Sequence, residues 1–111
     1  HQAKQEESSS DIRQRVIQAR NIQLKRFANK KIYNNSQMSS AEIKTYCTYD
    51  EMGKLSLERA FDKLGLSARA YHRILKIART IADLDNKPTI ESQHLSEAIQ
   101  YRSLDKKIWQ V

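Results

Sequence analysis

From Leu64 to Leu84 the chain reads Leu-Gly-Leu-Ser-Ala-Arg-Ala-Tyr-His-Arg-Ile-Leu-Lys-Ile-Ala-Arg-Thr-Ile-Ala-Asp-Leu, and this stretch constrains the fold more than any other. Gly65 suits the position just past a helix end, where a left-handed residue is wanted. Ser67 suits an N-cap, because its hydroxyl can accept from a free amide of the first turn. Ala70, Ile74, Ile77, Ala78 and Ile81 then recur at helical spacing. One helix must stop at Gly65, and a long one, buried along one side, must run from Ser67 to about Leu84.

The rest of the chain extends this pattern. A helix from near Asp11 to about Ala28, capped by Ser9 or Ser10, places Ile12, Val16, Ala19, Gln23 and Phe27 on one face, broadened by Ile17 and Leu24. Asn29 to Met38 breaks the periodicity and reads as a loop. Ser39 or Ser40 caps a short helix through Ile43 to Tyr46. Thr48 to Asp50 offers a cap for a helix in which Leu57, Ala60, Phe61 and Leu64 fit the i, i+3, i+4, i+7 pattern. Asp85 to Pro88 is a turn, Thr89-Ile90 a brief extended piece, and a last helix spans about Ser92 to Arg102 with Leu95, Ala98 and Ile99 inward. With two glycines and one proline in 111 residues, a β-rich fold lacks its turns. The expected fold is all-α, a bundle of four main helices and a short one. Residues 1–9 read as a disordered lead-in or linker, 10–107 as the helical domain and 108–111 as a tail.

No run of residues has the length of a membrane span, and no signal-like stretch opens the sequence, so the expectation is a soluble, cytoplasmic protein without a membrane partner. The single cysteine, Cys47, excludes an internal disulfide and a cysteine-based zinc site and reads as a small buried residue. His72 and His94 lack companions at metal-ligand spacing, so no metal site is expected and both read as structural. The five tyrosines, Tyr33, Tyr46, Tyr49, Tyr71 and Tyr101, read mostly as core or boundary residues.

The net charge of +7 is unevenly spread. Ser10 to Lys31 holds seven basic residues against one acidic, and Ser67 to Lys87 five against two. Such a balance favours nucleic acid, nucleotide or acidic protein partners. Arg13 and Arg20, seven apart, share a helix face and with Lys25 and Arg26 form a stripe that could meet nucleic acid or a neighbouring subunit, or simply face solvent. Few aromatic residues interleave with it, so stacking on single-stranded bases is not indicated.

Arg69 stands two residues past the Ser67 cap. Helix N-termini carry partial positive charge and free amides, and so favour anions. A cation there is slightly penalised unless an anion, such as a phosphate, joins it. Arginine suits phosphate because it stays charged and forks its donors onto two oxygens. Arg73 follows one turn on. Either residue can equally be an ordinary solvated surface cation. The chain contains no Gly-x-x-x-x-Gly-Lys-Ser/Thr phosphate loop and cannot hydrolyse ATP unaided.

Three blocks carry a resemblance: Leu64-Gly-Leu-Ser-Ala-Arg69, Arg73-Ile-Leu-Lys-Ile-Ala-Arg-Thr-Ile-Ala-Asp83 and His94-Leu-Ser-Glu-Ala-Ile-Gln-Tyr-Arg102, joined by Arg13-Gln-Arg-Val-Ile-Gln-Ala-Arg-Asn-Ile-Gln23 near the start. In this wording the chain resembles the C-terminal helical lid domain of magnesium-chelatase-related AAA+ ATPases of the ComM type, over roughly Ser10 to Lys107. The resemblance implies that Ser67-Ala-Arg69 is the sensor-2 element, with Arg69 reading the γ-phosphate of ATP and Arg73 a second phosphate or interface contact. It implies ATP and Mg²⁺ as cofactors, held mainly by an ATPase core elsewhere in the parent chain. It implies partners in that core and in neighbouring subunits of a ring, DNA through the parent, and work in DNA processing or recombination. Two other readings stay open: an independent basic module binding nucleic acid directly, and the motor subunit of a chelatase-type metal-insertion system.

Overall fold

The computed structural model describes residues 8–109, with side chains to residue 101. Five α-helices follow in order: α1 Ser9–Arg26, α2 Ser40–Tyr46, α3 Glu51–Leu64, α4 Ala68–Leu84 and α5 Ser92–Trp109, with a short 3-10 turn at Asn35–Gln37 inside the α1–α2 connection. The fold is all-α, as the periodicity requires. The brief extended piece appears as one isolated parallel bridge between Tyr49 and Ile90, where the Ile90 amide donates to the Thr48 carbonyl at 3.1 Å.

Local chemistry fixes the boundaries. Ser67 accepts from the Ala70 amide at 3.2 Å, and Asp50 from the Gly53 amide at 2.9 Å. Ser39 and Glu42 form a reciprocal capping box at the start of α2, and the amide bond from Ser39 holds the Glu42 carboxyl below its ordinary value. Gly65 closes α3 at φ 61° and ψ 48°, a conformation glycine adopts without the penalty a Cβ would bring. Asn86 takes the left-handed position after α4 at φ 55°, with the Lys87 and Asn86 amides returning to the Ala82 and Asp83 carbonyls. That is a Schellman closure with asparagine in the glycine position. At the start of α5, His94 Nδ1 accepts from the Glu91 amide at 2.9 Å while Nε2 lies 2.8 Å from Asp85. A nitrogen that accepts an amide proton carries none, so Nε2–H donates to Asp85. This bond is the leading cause that lowers the Asp85 carboxyl from its usual value. His94 is structural, as expected.

Three boundaries differ from the sequence reading. α1 is capped by Ser8, whose hydroxyl accepts from the Asp11 amide at 3.0 Å, rather than by Ser9 or Ser10, and ends at Arg26. α5 continues to Trp109 instead of stopping near Arg102, so the expected tail is in part helical. Residues 1–7 of the expected lead-in lie outside the described residues.

α4 is the hub. It packs against α5, α1, α2 and the 3-10 turn, while α3 packs on α5. Ala70, Ile74, Leu75, Ala78 and Ala82 of α4 join Leu57, Ile43, Ile90, Leu95 and Ala98 in the core. Cys47 is buried there too. Gly53 permits the close approach of α3 and α5: a Cβ at this position would lie 2.9 Å from Leu95 Cδ1 and 3.0 Å from Tyr49 Cβ. Tyr46, Tyr49 and Tyr71 sit at the boundary, whereas Tyr33 and Tyr101 are exposed.

A buried polar cluster crosses this core. Asp83, 1% exposed, accepts from Arg26 through two bonds at 2.7 and 2.8 Å, from Arg79 Nε at 3.1 Å and from Asn35 Nδ2 at 2.9 Å. Asn35 Oδ1 accepts from Arg26 in turn, and the Asn35 amide donates to Gln23 Oε1. Arg79 spends its remaining donors on the Pro88 and Lys87 carbonyls. Burial lowers the Arg79 pKa from its ordinary value, and Asp83 acts against that loss. Among the described residues no buried side-chain nitrogen or oxygen lacks a partner.

Removing the carboxylate strands two guanidiniums. Asp83→Ala is expected to cost about 3–5 kcal/mol, the range for breaking a buried ion pair from one side. Gly53→Ala crowds Leu95 and Tyr49, a cost of about 1–3 kcal/mol set against about 1 kcal/mol of helix propensity gained, so a smaller net loss is expected. Urea denaturation of both variants orders them; an Asp83→Ala chain as stable as wild type would show that the cluster is energetically idle.

Candidate functional site

The start of α4 is defined by local chemistry alone: Gly65 turns the chain out of α3, Ser67 caps, and Arg69 becomes the second residue of the new helix. The first turn of α4 contains no acidic residue. Ala70 and Ile74 are buried, which leaves Arg69 and Arg73 on the outer side. Arg69 is exposed and makes no hydrogen bond or ion pair with the described residues.

Arg69, His72, Arg73, Lys76 and Ile77 of α4, Ser36 of the 3-10 turn and Tyr101 of α5 line one open groove of about 830 Å³. Arg69, Arg73 and Lys76 stand at i, i+4 and i+7, spacings that align side chains on one helix face. Lys76 Nζ donates to the Ser36 carbonyl at 3.0 Å, so the 3-10 turn forms a wall of the groove. The groove lining holds three permanent cations and no carboxylate. It can contact an oxyanion through forked and point-charge donors. It offers no carboxylate, the usual protein ligand of Mg²⁺. Among the described residues no group of three or more His, Cys, Asp or Glu side chains could hold a metal ion.

The structure joins Arg69 and Arg73, adds Lys76 and Tyr101, and separates them from the first helix. Lys76 was legible in principle, being seven residues from Arg69 and on its face. Tyr101 was not, because its place beside α4 depends on how α5 packs. Arg13, Arg20 and Lys25 are exposed on α1 and line no part of the groove. Arg26 leaves the basic stripe altogether. Its side chain is 12% exposed and clamped to Asp83, so it is a structural cation rather than a contact for nucleic acid or another subunit. The physical reason is the carboxylate 57 residues away, which no local pattern on α1 reveals.

A second depression of about 520 Å³ is lined by Ile43, Lys44, Cys47, Tyr49, Tyr71 and His72, among others. Tyr49 and Tyr71 share a hydroxyl–hydroxyl bond at 2.7 Å there, and burial raises the Tyr71 hydroxyl above its ordinary value. Burial likewise pushes the Cys47 thiol up to about 11.

A helical domain with a cation-lined groove at the capped start of its central helix is what this chain builds. It belongs to the family described as magnesium chelatase, subunit ChlI C-terminal, which it matches over residues 6–102. The chain is thus a C-terminal domain of a magnesium-chelatase-related protein. Among curated proteins it is similar to competence protein ComM of Haemophilus influenzae, 44% identical over 98 residues, which is 88% of this chain and 18% of that protein. It is 45% identical over 100 residues to the uncharacterized protein YifB of Escherichia coli, covering 90% of this chain and 19% of YifB. The Salmonella typhimurium YifB is 42% identical over a segment of the same length. The chain therefore spans less than a fifth of the length of these relatives. No helix among the described residues is long and apolar enough to cross a membrane.

Cys47 gives a check on the packing. A thiol at about 11 is thiolate at pH 8 in only about one molecule in a thousand, and the thiolate is the reactive form. The folded chain is expected to leave Cys47 unmodified by a thiol reagent at pH 8, and to react fully once unfolded in denaturant. Modification of the folded chain at the rate of a free cysteine would mean the depression beside it opens to the core.

Proposed function

We propose that the domain is the helical lid of an AAA+ ATPase of the ComM type, and that Arg69 senses the γ-phosphate of ATP bound by the core of the parent protein. The observation that carries this reading is Arg69 itself: an exposed arginine in the first turn of α4, with no acidic residue in that turn and two further cations along the same face. An oxyanion placed there would meet the guanidinium fork and the positive end of the helix together. Arg73 and Lys76 extend the cationic face along α4. The ribose, the base and Mg²⁺ would be held by the core, since the groove is open, lined chiefly by cations and without a carboxylate. Loss of the γ-phosphate would release Arg69 and let the lid rotate as a rigid body, coupling hydrolysis to motion of a ring.

Competence protein ComM, named for competence and not as a chelatase, is similar over nearly all of this chain. DNA processing or recombination is therefore the favoured task of the parent, ahead of metal insertion. Direct nucleic-acid binding by this domain finds less support, because Arg26 is withdrawn from the α1 stripe and the groove lies apart from that helix.

Arg69→Ala in the full-length protein is expected to leave thermal melting within roughly 0.5 kcal/mol of wild type, as for other exposed residues. It is expected to cut ATP turnover, by up to the order of 10³-fold if Arg69 stabilises phosphoryl charge as an arginine finger does. Arg69→Lys should recover turnover only in part, because an ammonium lacks the fork. Steady-state ATPase assays with melting as a folding control decide the matter. Unchanged turnover in a well-folded Arg69→Ala protein would leave Arg69 an ordinary surface residue.

A further inference from the structure

α1 carries a surface that the other described residues do not cover. Toward its C-terminal end, Ala19 and Gln23 are buried. Ile12 and Val16 lie on the same side one to two turns earlier, yet they are 45% and 39% exposed. Ile17 and Leu24, seven apart on the adjoining flank, are 49% and 48% exposed. Arg13 and Arg20 alternate with these two, giving the row Arg13, Ile17, Arg20, Leu24, all of it exposed. At 100° per residue the six side chains form one continuous side of the helix. The sole acidic residue of α1 is Asp11, in its first turn.

The N-terminal half of α1 is poorly supported from within. Ile12, Val16 and Ile17 are β-branched and lower the intrinsic tendency to be helical. A short helix draws most of its stability from packing, and these turns bury little. Four exposed aliphatic side chains on one helix call for a cover.

We propose that this side of α1 docks onto the preceding part of the same polypeptide, with Ile12, Val16, Ile17 and Leu24 as apolar anchors and Arg13 and Arg20 facing carboxylates at the rim of the partner patch. Two observations select that occupant. The family is defined as the C-terminal part of a subunit, and curated relatives match this chain over only 18–19% of their length, so most of such a protein comes before α1. A tethered partner also acts at a high effective concentration, so a contact of modest area suffices. The charge is one-signed, which favours an acidic rim and disfavours a second copy of the same basic face. The inference rests on the domain being part of a longer protein, and not on any role of Arg69.

Hydrogen–deuterium exchange on the full-length protein tests it. In wild type the amides of the first half of α1 should be protected. In the double variant Ile12→Ser/Ile17→Ser they should exchange about tenfold faster or more, as expected when a local contact is lost. A second segment, outside residues 1–111 and earlier in the polypeptide, should lose protection with them, while α4 stays protected. Should the serine variant also open α4, Arg13→Glu/Arg20→Glu, at two exposed positions, replaces it and must produce the same paired change. Faster exchange confined to residues 1–111 overturns the proposal, as does a first half of α1 that exchanges freely in the wild-type protein. These readouts do not depend on ATP turnover, so failure of the sensor reading and failure of this docking are separate results.

Discussion

One carboxylate organises this domain. Asp83 draws Arg26 from α1, Asn35 from the 3-10 turn and Arg79 from its own helix into a single buried cluster, and Arg79 passes the constraint on to the carbonyls of the turn after α4. Each buried charge here would be costly alone and is tolerable because every donor and acceptor is matched. Two guanidiniums against one carboxylate leave a net positive interior, which the surrounding carbonyls and amide oxygens offset. The cluster fixes how α1 crosses α4 and holds the 3-10 turn against it. Asn35 beside Ser36 is thereby locked, and Ser36 is the residue whose carbonyl Lys76 meets at the groove wall.

The groove follows from this arrangement. α4 spends one side on the core and the Asp83 cluster. Its remaining side is basic, and the 3-10 turn and α5 rise on either edge of it. The cap at Ser67 and the turn at Gly65 set where the helix begins, and hence which cation stands at its positive end. Stability and the cation-lined groove thus share a helix while using different residues of it.

Much of this was legible in the sequence, for physical reasons that differ by element. The start of α4, the exposure of Arg69 and the stop at Gly65 rest on interactions spanning three or four residues, and a linear pattern contains them. The all-α fold followed from periodicity and the scarcity of turn residues. Arg26 was misplaced because its partner is distant along the chain, and a basic residue next to Lys25 looks the same whether paired or free. Ile12 and Val16 share a face with the buried Ala19 and Gln23 yet are exposed, because periodicity reports the side a residue takes and not how far the neighbouring helices extend. The 3-10 turn was read only as loop, although Asn35 proves to be a fully buried structural residue. α5 outran its expected end because no glycine or proline marks a stop there.

The sequence distance across the Asp83 cluster bears on the order in which the parts come together. α4 and α5 follow one another closely, and their contacts close short loops. Arg26 and Asp83 are separated by 57 residues, and closing that longer loop costs somewhat more chain freedom before any bond is gained. On this ground α1 is expected to seat after the α4–α5 pair and to detach first when the native state opens locally. In such a transient opening Asp83 and Arg79 would remain partnered with each other, so the four remaining helices keep their interior charge matched while α1 is away. The domain is built as a local helical unit with an N-terminal arm latched onto it by an ion pair.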